Sequence, residues 1–237
     1  MSDDFQPPPS AGHALPPGSV HELYPFLFGG SARRDDALAE VRESTLLKCG
    51  DVVALRQQLA AEYEEELVGA AAAMAAAFAR GNKLLAFGNG GSATDAQDAA
   101  ADCALPAFPG WRALPALSLV ADIATITAIA NDVGFESTFL RQIIAFGEPG
   151  DIALGVSTSG NSPNVLAALT EAKRRGLVTV ALAGDTGGAM ARAASDGTID
   201  HLFVARTSYT PRIQEGHATV WHTLLELVQE LLKEDGA

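Results

Sequence analysis

The chain has 237 residues, of which 48% are hydrophobic, and a formal net charge of −13. This composition excludes a wholly disordered chain, and the charge excludes nucleic-acid binding over a broad basic surface. Two cysteines are too few for a disulfide framework, and no apolar run reaches the roughly 20 residues that cross a bilayer.

The N-terminal part is predicted to be a tail followed by a helical arm. Residues 1–34 are rich in proline and begin with an acidic stretch unlike a signal peptide, so we expect a flexible tail and a cytoplasmic protein. From about residue 35 to residue 80, apolar residues recur at helical spacing. Because Gly50-Asp51 could interrupt this pattern, we predict a helical hairpin, and one α/β domain over residues 35–237 that includes it.

The remainder of the chain alternates between short apolar runs and helical patterns. The predicted strands are 83–87, 116–120, 151–156, 178–182 and 201–204. The predicted helices are 93–104, 123–131, 163–175, 188–194 and 211–233. Such alternation is typical of a parallel sheet with right-handed crossovers and helices on both faces, so we predict a three-layer αβα sandwich with a flavodoxin-like sheet.

Two strands are followed by loops that suit an anion. Gly88-Asn89-Gly90-Gly91-Ser92 follows the first strand, and Ser157-Thr158-Ser159-Gly160-Asn161-Ser162 follows the third. Each loop leads into a helix, whose first amides and dipole attract a phosphate without any lysine or arginine. A glycine turn or a serine cap also fits an ordinary α/β fold, but two such loops in one sheet favour a ligand. Ala93 stands where a dinucleotide fingerprint needs glycine, and no P-loop follows.

Three acids lie close together on the helix after the first loop. Asp98 and Asp102 are one turn apart and share a face, and Asp95 lies one turn earlier, close to the same stripe. A solvated acidic face would carry these residues at little cost. The alanines between them, however, suit close packing, which favours a site.

The last predicted helix carries an amide and two imidazoles. Gln214 and His222 are about 80° apart around the helix axis, so both could reach one site, whereas His217 is expected on a neighbouring face. A lone histidine on an apolar helix is also common as a packed core residue. Carboxylates and an imidazole beside a phosphate loop could bind a divalent metal or act as acid and base in an aldose–ketose isomerisation.

In combination these pieces resemble the phosphoheptose isomerases, which have the sugar isomerase (SIS) fold. The matching segments fall in the family's order between about residues 35 and 235. They are Gly88-Asn89-Gly90-Gly91-Ser92 with Asp95, Ala130-Asn131-Asp132-Val133-Gly134-Phe135, Gly150-Asp151, Ser157-Thr158-Ser159-Gly160-Asn161-Ser162, and Arg212-Ile213-Gln214-Glu215 through His222. The resemblance implies a homotetramer with active sites at subunit boundaries, which converts sedoheptulose 7-phosphate to a heptose 7-phosphate.

The resemblance also implies roles for individual residues. Those implied to hold the sugar phosphate are Gly90, Gly91, Ser92, Ser157, Thr158, Ser159 and Ser162. Those implied to contact the sugar are Asn89, Asp95, Asp122 and Gln214. The expected ligands of a divalent metal, zinc, are Asp98, Asp102, Gln214 and His222. Asp102 and His222 are implied to transfer the proton.

The chain departs from the family pattern on the acidic helix. The family usually has histidine and glutamate where Asp98 and Asp102 stand, and a Gly-Arg pair where Leu105-Pro106-Ala107 follows. Two carboxylates favour harder ions such as Mg²⁺ or Mn²⁺. Two alternatives therefore stay open, a non-catalytic SIS protein that senses a sugar phosphate or binds a partner, and an isomerase of a different sugar phosphate.

Overall fold

The structure is a computed structural model that describes residues 34–234. Of the predicted tail, residues 1–34, only Arg34 lies within the described residues. The helices are α1 (Arg34–Ala79), α2 (Gly91–Ala104), α3 (Ile123–Asp132), α4 (Thr138–Phe146), α5 (Pro163–Arg174), α6 (Gly188–Ser195) and α7 (Thr210–Glu234). The strands are β1 (Leu84–Gly88), β2 (Ala116–Ser118), β3 (Ile152–Ser157), β4 (Val178–Gly184) and β5 (His201–Ala205), and a 3₁₀ turn covers Phe135–Ser137.

The chain divides into two compact units, Met1–Gly50 and Asp51–Ala237. In the first, the described residues from Arg34 onward are helical, and Leu46 and Leu47 are exposed. The second contains the whole sheet. None of the described helices is both long and apolar enough to cross a membrane.

The five strands form one parallel sheet in the order β2-β1-β3-β4-β5. Alternate residues of each strand point to opposite faces, as the pleat requires. On β1, Leu84 and Ala86 join a core with α2, α7 and the second half of α1, whereas Leu85 and Phe87 join a core with α4, α5 and α6. Both faces are therefore covered, and the predicted three-layer αβα sandwich is confirmed.

The predicted helical hairpin is wrong. The backbone of α1 stays helical across Gly50-Asp51, and the helix kinks instead at Tyr63, where φ is −120° and ψ is 17°. The Tyr63 hydroxyl accepts a hydrogen bond of 3.1 Å from the Val204 amide of edge strand β5, and its ring meets Phe203 edge-on. The kink thus coincides with a contact 141 residues away along the chain, which no local pattern indicates.

Helix α4 was not predicted. It has only nine residues, and Ser137 before it makes no capping hydrogen bond through its side chain. Its inner face is nevertheless well packed, because Phe139 and Ile143 are buried and Gln142 donates to the Leu119 carbonyl at 2.9 Å. Tertiary packing stabilises this helix where local signals are weak.

Candidate active site

The two predicted loops lie side by side at one edge of the sheet. Gly88, at the end of β1, pairs with Val156 near the end of β3. The loops that follow therefore leave the sheet at neighbouring positions, where ligands bind in open α/β sheets. This confirms that both loops belong to one edge.

The first loop turns at a glycine and meets α7. Gly90 has φ +58° and ψ −122° and caps α2, a conformation that side-chain-bearing residues rarely adopt. A Cβ at Gly91 would lie 2.0 Å from Nε2 of Gln214, so glycine is required for this close approach. Ser92, which the resemblance implies holds the phosphate, is only 4% exposed, because α2 packs against the sheet at once.

Two asparagines join the first loop to the helix after the second loop. The amide of Asn89 donates to Asn164 at 2.8 Å, and the amide of Asn164 donates back at 2.9 Å. Asn164 is 1% exposed and lies in the first turn of α5. Sequence reasoning missed Asn164, although an amide just after Ser162-Pro163 at a helix start was a signal that could have indicated it.

The second loop is ordered by its own hydroxyls and by α6. The hydroxyls of Ser157 and Ser162 lie 2.9 Å apart, and Ser159 Oγ accepts from the Asn161 amide at 3.2 Å. Ser157 is buried, Thr158 and Ser162 are half-buried, and Ser159 is exposed. Neither loop contains a lysine or an arginine, so an anion here would be held by amides, hydroxyls and the α5 dipole.

Asp122 is the N-cap of α3. Its Oδ1 accepts from the amides of Ala124 and Thr125 at 3.0 and 3.2 Å, and its Oδ2 accepts from the Thr125 hydroxyl at 2.6 Å. These hydrogen bonds, led by that from the Thr125 hydroxyl, hold the pKa of the exposed carboxyl below its usual value. The predicted sugar contact of Asp122 remains a prediction.

Asp95 lies where α2 meets α7. Burial, together with the nearby Asp98 carboxylate, raises the pKa of Asp95 to about 6, and a hydrogen bond from Gln214 opposes that rise. The Oδ2 atom of Asp95 is buried and has no hydrogen-bond partner in the protein. The ionised form of Asp95 is therefore disfavoured, and its second oxygen is available to accept a hydrogen bond from a ligand.

A small cavity of about 70 Å³ continues from Asp95 between α2 and α7. Its polar wall contains Asp95, Asp98, His217 and His222, and its floor is formed by strand residues such as Leu154. His217, which was predicted to face elsewhere, thus lines the same space as His222. The structure brings Asp95, Asp98 and His222 together, as the sequence predicts.

Asp102 and His222 form a pair farther along the same interface. Asp102 Oδ2 accepts from the Trp221 indole N–H at 2.9 Å and lies 3.6 Å from His222 Nε2. Both residues line a larger cavity of about 360 Å³, whose other walls are mostly apolar and include Phe108 and Trp111. The two predicted proton-transfer residues therefore lie beside each other and beside an open cavity.

The predicted metal ligands do not fit a zinc site as they are placed. Within residues 34–234, no three His, Cys, Asp or Glu side chains are grouped so that they could hold a metal ion. The Gln214 amide lies against Gly91 and hydrogen-bonds Asp95. Zinc therefore remains a prediction on which no step below depends.

The Gly150-Asp151 segment, part of the family pattern, is structural. Asp151 is 1% exposed at the start of β3, the edge of the sheet opposite the loops. Its carboxylate accepts from the Lys83 and Glu148 amides at 2.9 Å each and from the Lys83 ammonium at 2.6 Å. It fixes the entry of β3 and lies away from the candidate site.

Comparison with known proteins gives a consistent result. The family model described as "SIS domain" matches residues 49–184. The phosphoheptose isomerase of Aquifex aeolicus (strain VF5) is 44% identical over 172 residues, which cover 73% of this chain and 87% of that protein. That of Desulfovibrio desulfuricans (strain ATCC 27774 / DSM 6949 / MB) is 45% identical over 188 residues, 79% and 87% of the two chains.

A similar solved structure is that of a phosphoheptose isomerase from Neisseria gonorrhoeae. It superposes with a TM-score of 0.73 and 35% identity, covering 80% of this chain and 99% of that one. One from Francisella tularensis gives a TM-score of 0.69 and 30% identity, with 78% and 98% covered.

Proposed function

The chain belongs to the SIS domain family and, within it, to the phosphoheptose isomerases, and we propose that it converts sedoheptulose 7-phosphate to D-glycero-D-manno-heptose 7-phosphate. The membership identifies an isomerase that acts on a phosphorylated sugar. The particular sugar and the chemical mechanism are the proposed part.

The observation that carries the proposal is the pair of linked loops. Asn89 and Asn164 exchange two hydrogen bonds between the loop after β1 and the first turn of α5, so the two loops form one cradle. The Ser157 and Ser162 hydroxyls lie 2.9 Å apart in the second loop, which leads into the N-terminus of α5, and together these groups would suit the phosphate of the substrate.

The acids of α2 then follow in a row. With a rise of 1.5 Å per residue, Asp95, Asp98 and Asp102 lie about 6, 10 and 16 Å along the helix axis from Gly91, and their side chains lean back toward the loops. An extended sugar phosphate anchored at the loops would pass Asp95 before it reaches the histidine. This favours the open-chain form, which alone has the carbonyl group that isomerisation needs.

Proton transfer is assigned to Asp102 and His222. The Asp102 carboxylate takes a proton from C1 of the ketose, the C1–C2 enediol forms, and the proton returns at C2. His222, 3.6 Å from that carboxylate, gives a proton to the C2 oxygen and takes one from the C1 oxygen. The Trp221 N–H keeps the Asp102 carboxylate in place.

A different sugar phosphate is the second candidate substrate. The family's Gly-Arg pair is replaced by Leu105-Pro106-Ala107, and the residues that line the cavity beside Asp102 include Phe108 and Trp111 but no lysine or arginine. This favours a less polar group at the end of the sugar remote from phosphate. The non-catalytic alternative rests on the two aspartates that replace histidine and glutamate.

We also propose a cytoplasmic homotetramer. Large apolar side chains are exposed on the described surface, among them Leu105, Phe108 and Ile123 at 78%, 60% and 71%. Exposed apolar side chains of this size favour burial against further copies of the chain. Cys49 and Cys103 are both free thiols, which is compatible with a reducing compartment.

The test is an assay of the purified full-length protein with sedoheptulose 7-phosphate, alongside a small panel of other ketose phosphates. Formation of the heptose 7-phosphate supports the proposal, and faster turnover of another ketose phosphate would support the second candidate. Binding without turnover of any of them would support the sensor. Metal analysis of the same preparation tests zinc, and light scattering tests the tetramer.

A further inference from the structure

His217 is a buried histidine that the proton-transfer scheme does not use. It is 1% exposed, and its Nε2 lies 2.9 Å from the Ala183 carbonyl at the end of β4. A carbonyl oxygen can only accept, so Nε2 carries the proton and Nδ1 bears a lone pair. Burial lowers the pKa of His217 to about 4, which keeps the ring neutral. Nδ1 is thus a fixed acceptor, and it has no hydrogen-bond partner in the protein.

A second residue with an unpartnered acceptor lines the same cavity. Oδ2 of Asp95 is buried without a partner, and Asp95 and His217 are both in the wall of the cavity of about 70 Å³ that also reaches His222. Buried acceptors without donors are costly, at about 1–3 kcal/mol each. Two acceptors in one wall call for a ligand with two O–H donors. Neighbouring hydroxyls of a polyol chain meet this requirement, and so does water.

We propose that His217 is a sugar-binding residue whose Nδ1 accepts a hydrogen bond from one hydroxyl of the substrate's carbon chain, beside Asp95, which accepts from a neighbouring hydroxyl. This inference rests on the proposed function and adds a residue and a chemical requirement to it. The substrate must carry vicinal hydroxyls in the stretch between its phosphate and its carbonyl end. A water molecule satisfies the same acceptors before the sugar binds.

Two substitutions separate this role from a purely structural one. In His217→Gln the amide reaches the position of Nε2, so the bond to Ala183 is kept and the acceptor is lost. In His217→Asn the amide takes the position of Nδ1, so an acceptor is kept and the bond to Ala183 is lost. A sugar-binding role predicts that the Gln variant is stable but binds poorly. A role confined to anchoring α7 on β4 predicts that the Gln variant is stable and binds as tightly as the wild type.

The experiment measures binding by calorimetry with two probes, sedoheptulose 7-phosphate and inorganic phosphate, and stability by thermal unfolding. We expect His217→Gln to weaken sugar-phosphate binding about tenfold. Its affinity for inorganic phosphate should be unchanged, because that probe has no polyol chain. His217→Asn should bind the sugar phosphate more tightly than His217→Gln while melting at a lower temperature.

Three other results would overturn the inference. The first is wild-type affinity of His217→Gln for the sugar phosphate, which would leave His217 as an anchor only. The second is an equal loss for both probes, which would point to a disturbed loop. The third is a wild-type protein that binds inorganic phosphate but no sugar phosphate, which would overturn the proposed function as well. In the first two cases wild-type turnover would leave that function standing.

Discussion

The interface between α2 and α7 has two ends that are built in different ways. The loop end, comprising residues 88–92, residues 157–162 and Gln214, consists of backbone amides, hydroxyls and side-chain amides. The far end, comprising Asp102, Trp221 and His222 with the wall of Phe108 and Trp111, consists of charged and aromatic side chains. The loop end follows the family pattern, whereas the far end departs from it at Asp98, Asp102 and Leu105-Pro106-Ala107.

This difference separates holding the substrate from transforming it. Backbone groups at the loop end can hold a phosphate with little dependence on which side chains surround them. Proton transfer at the far end depends on the position of individual side chains, where a shift of about 1 Å matters greatly. Substitutions at the far end should therefore reduce kcat, and those at the loop end should raise KM.

The largest effect is expected at the far end. Asp102→Asn keeps the shape of the side chain but removes the base, so kcat should fall about 100-fold or more while KM changes little. The measurement is steady-state kinetics on sedoheptulose 7-phosphate. Asp98→Asn is the matched control one turn away, and it should retain most of the activity. The opposite ranking of the two variants would move the base to Asp98.

A smaller effect is expected at the loop end from Gly91→Ala. The new Cβ would lie 2.0 Å from Gln214 Nε2, so the amide must move away from Asp95 and the loop. KM should rise about tenfold, which corresponds to roughly 1.4 kcal/mol. Gly69→Ala is the control, because no atom lies within 4 Å of the Cβ it would add. Unchanged KM in Gly91→Ala would show that Gln214 has no part in binding.

Asp95, between the two ends, should make stability depend on pH. Its folded pKa of about 6 lies above the ordinary value of 3.8, so the folded state binds this proton more tightly than the unfolded chain does. The contribution of this bound proton to folding stability is fully present below pH 3.8 and is lost as the pH rises through 6. Asp95→Asn should therefore have a higher free energy of unfolding than the wild type at pH 8, by about 1 kcal/mol. The expected difference is no larger because the carboxyl is partly exposed to solvent.

Urea unfolding at pH 8 and at pH 4 would measure this difference. The difference should be smaller at pH 4, where Asp95 is largely protonated in the folded state. Glu64→Gln, at an exposed position on α1, serves as the control and should show no such pH dependence. Equal stability of Asp95→Asn and the wild type at both pH values would mean that the ionised Asp95 carboxylate does not destabilise the folded state.

The smallest effect is expected from Ser162→Ala in the second loop. This change removes one hydroxyl of the pair that lies 2.9 Å apart and leaves the amides of α5 in place. Affinity for inorganic phosphate should fall about fivefold, with kcat unchanged, because a neutral hydrogen bond contributes only about 1 kcal/mol. Titration calorimetry would measure it, with Ser195→Ala on α6 as the control. A drop in kcat without a change in affinity would contradict the division between the two ends.

The two ends also differ in how far the sequence predicts them. Glycines that follow a buried strand and precede a helix indicate the loop end locally, and five strands were placed within two residues of their observed ends. The far end depends on contacts between distant residues, such as Trp221 with Asp102, 119 residues apart, and Arg112 with Gln229, 117 residues apart. Helical spacing placed Asp95 and Asp98 in one region, and the family resemblance placed His222 with Asp98. It could not show that Asn164 links the loops or that His217 turns into the cavity, because both depend on the packing of other elements.

The most direct test is a crystal structure of the wild-type protein with sedoheptulose 7-phosphate. We expect the phosphate between the two loops, hydrogen-bonded by Ser157, Ser162 and the first amides of α5, with the open carbon chain running along α2 toward His222. A phosphate held instead by arginine side chains such as Arg206 and Arg212, with the loops empty, would contradict the account.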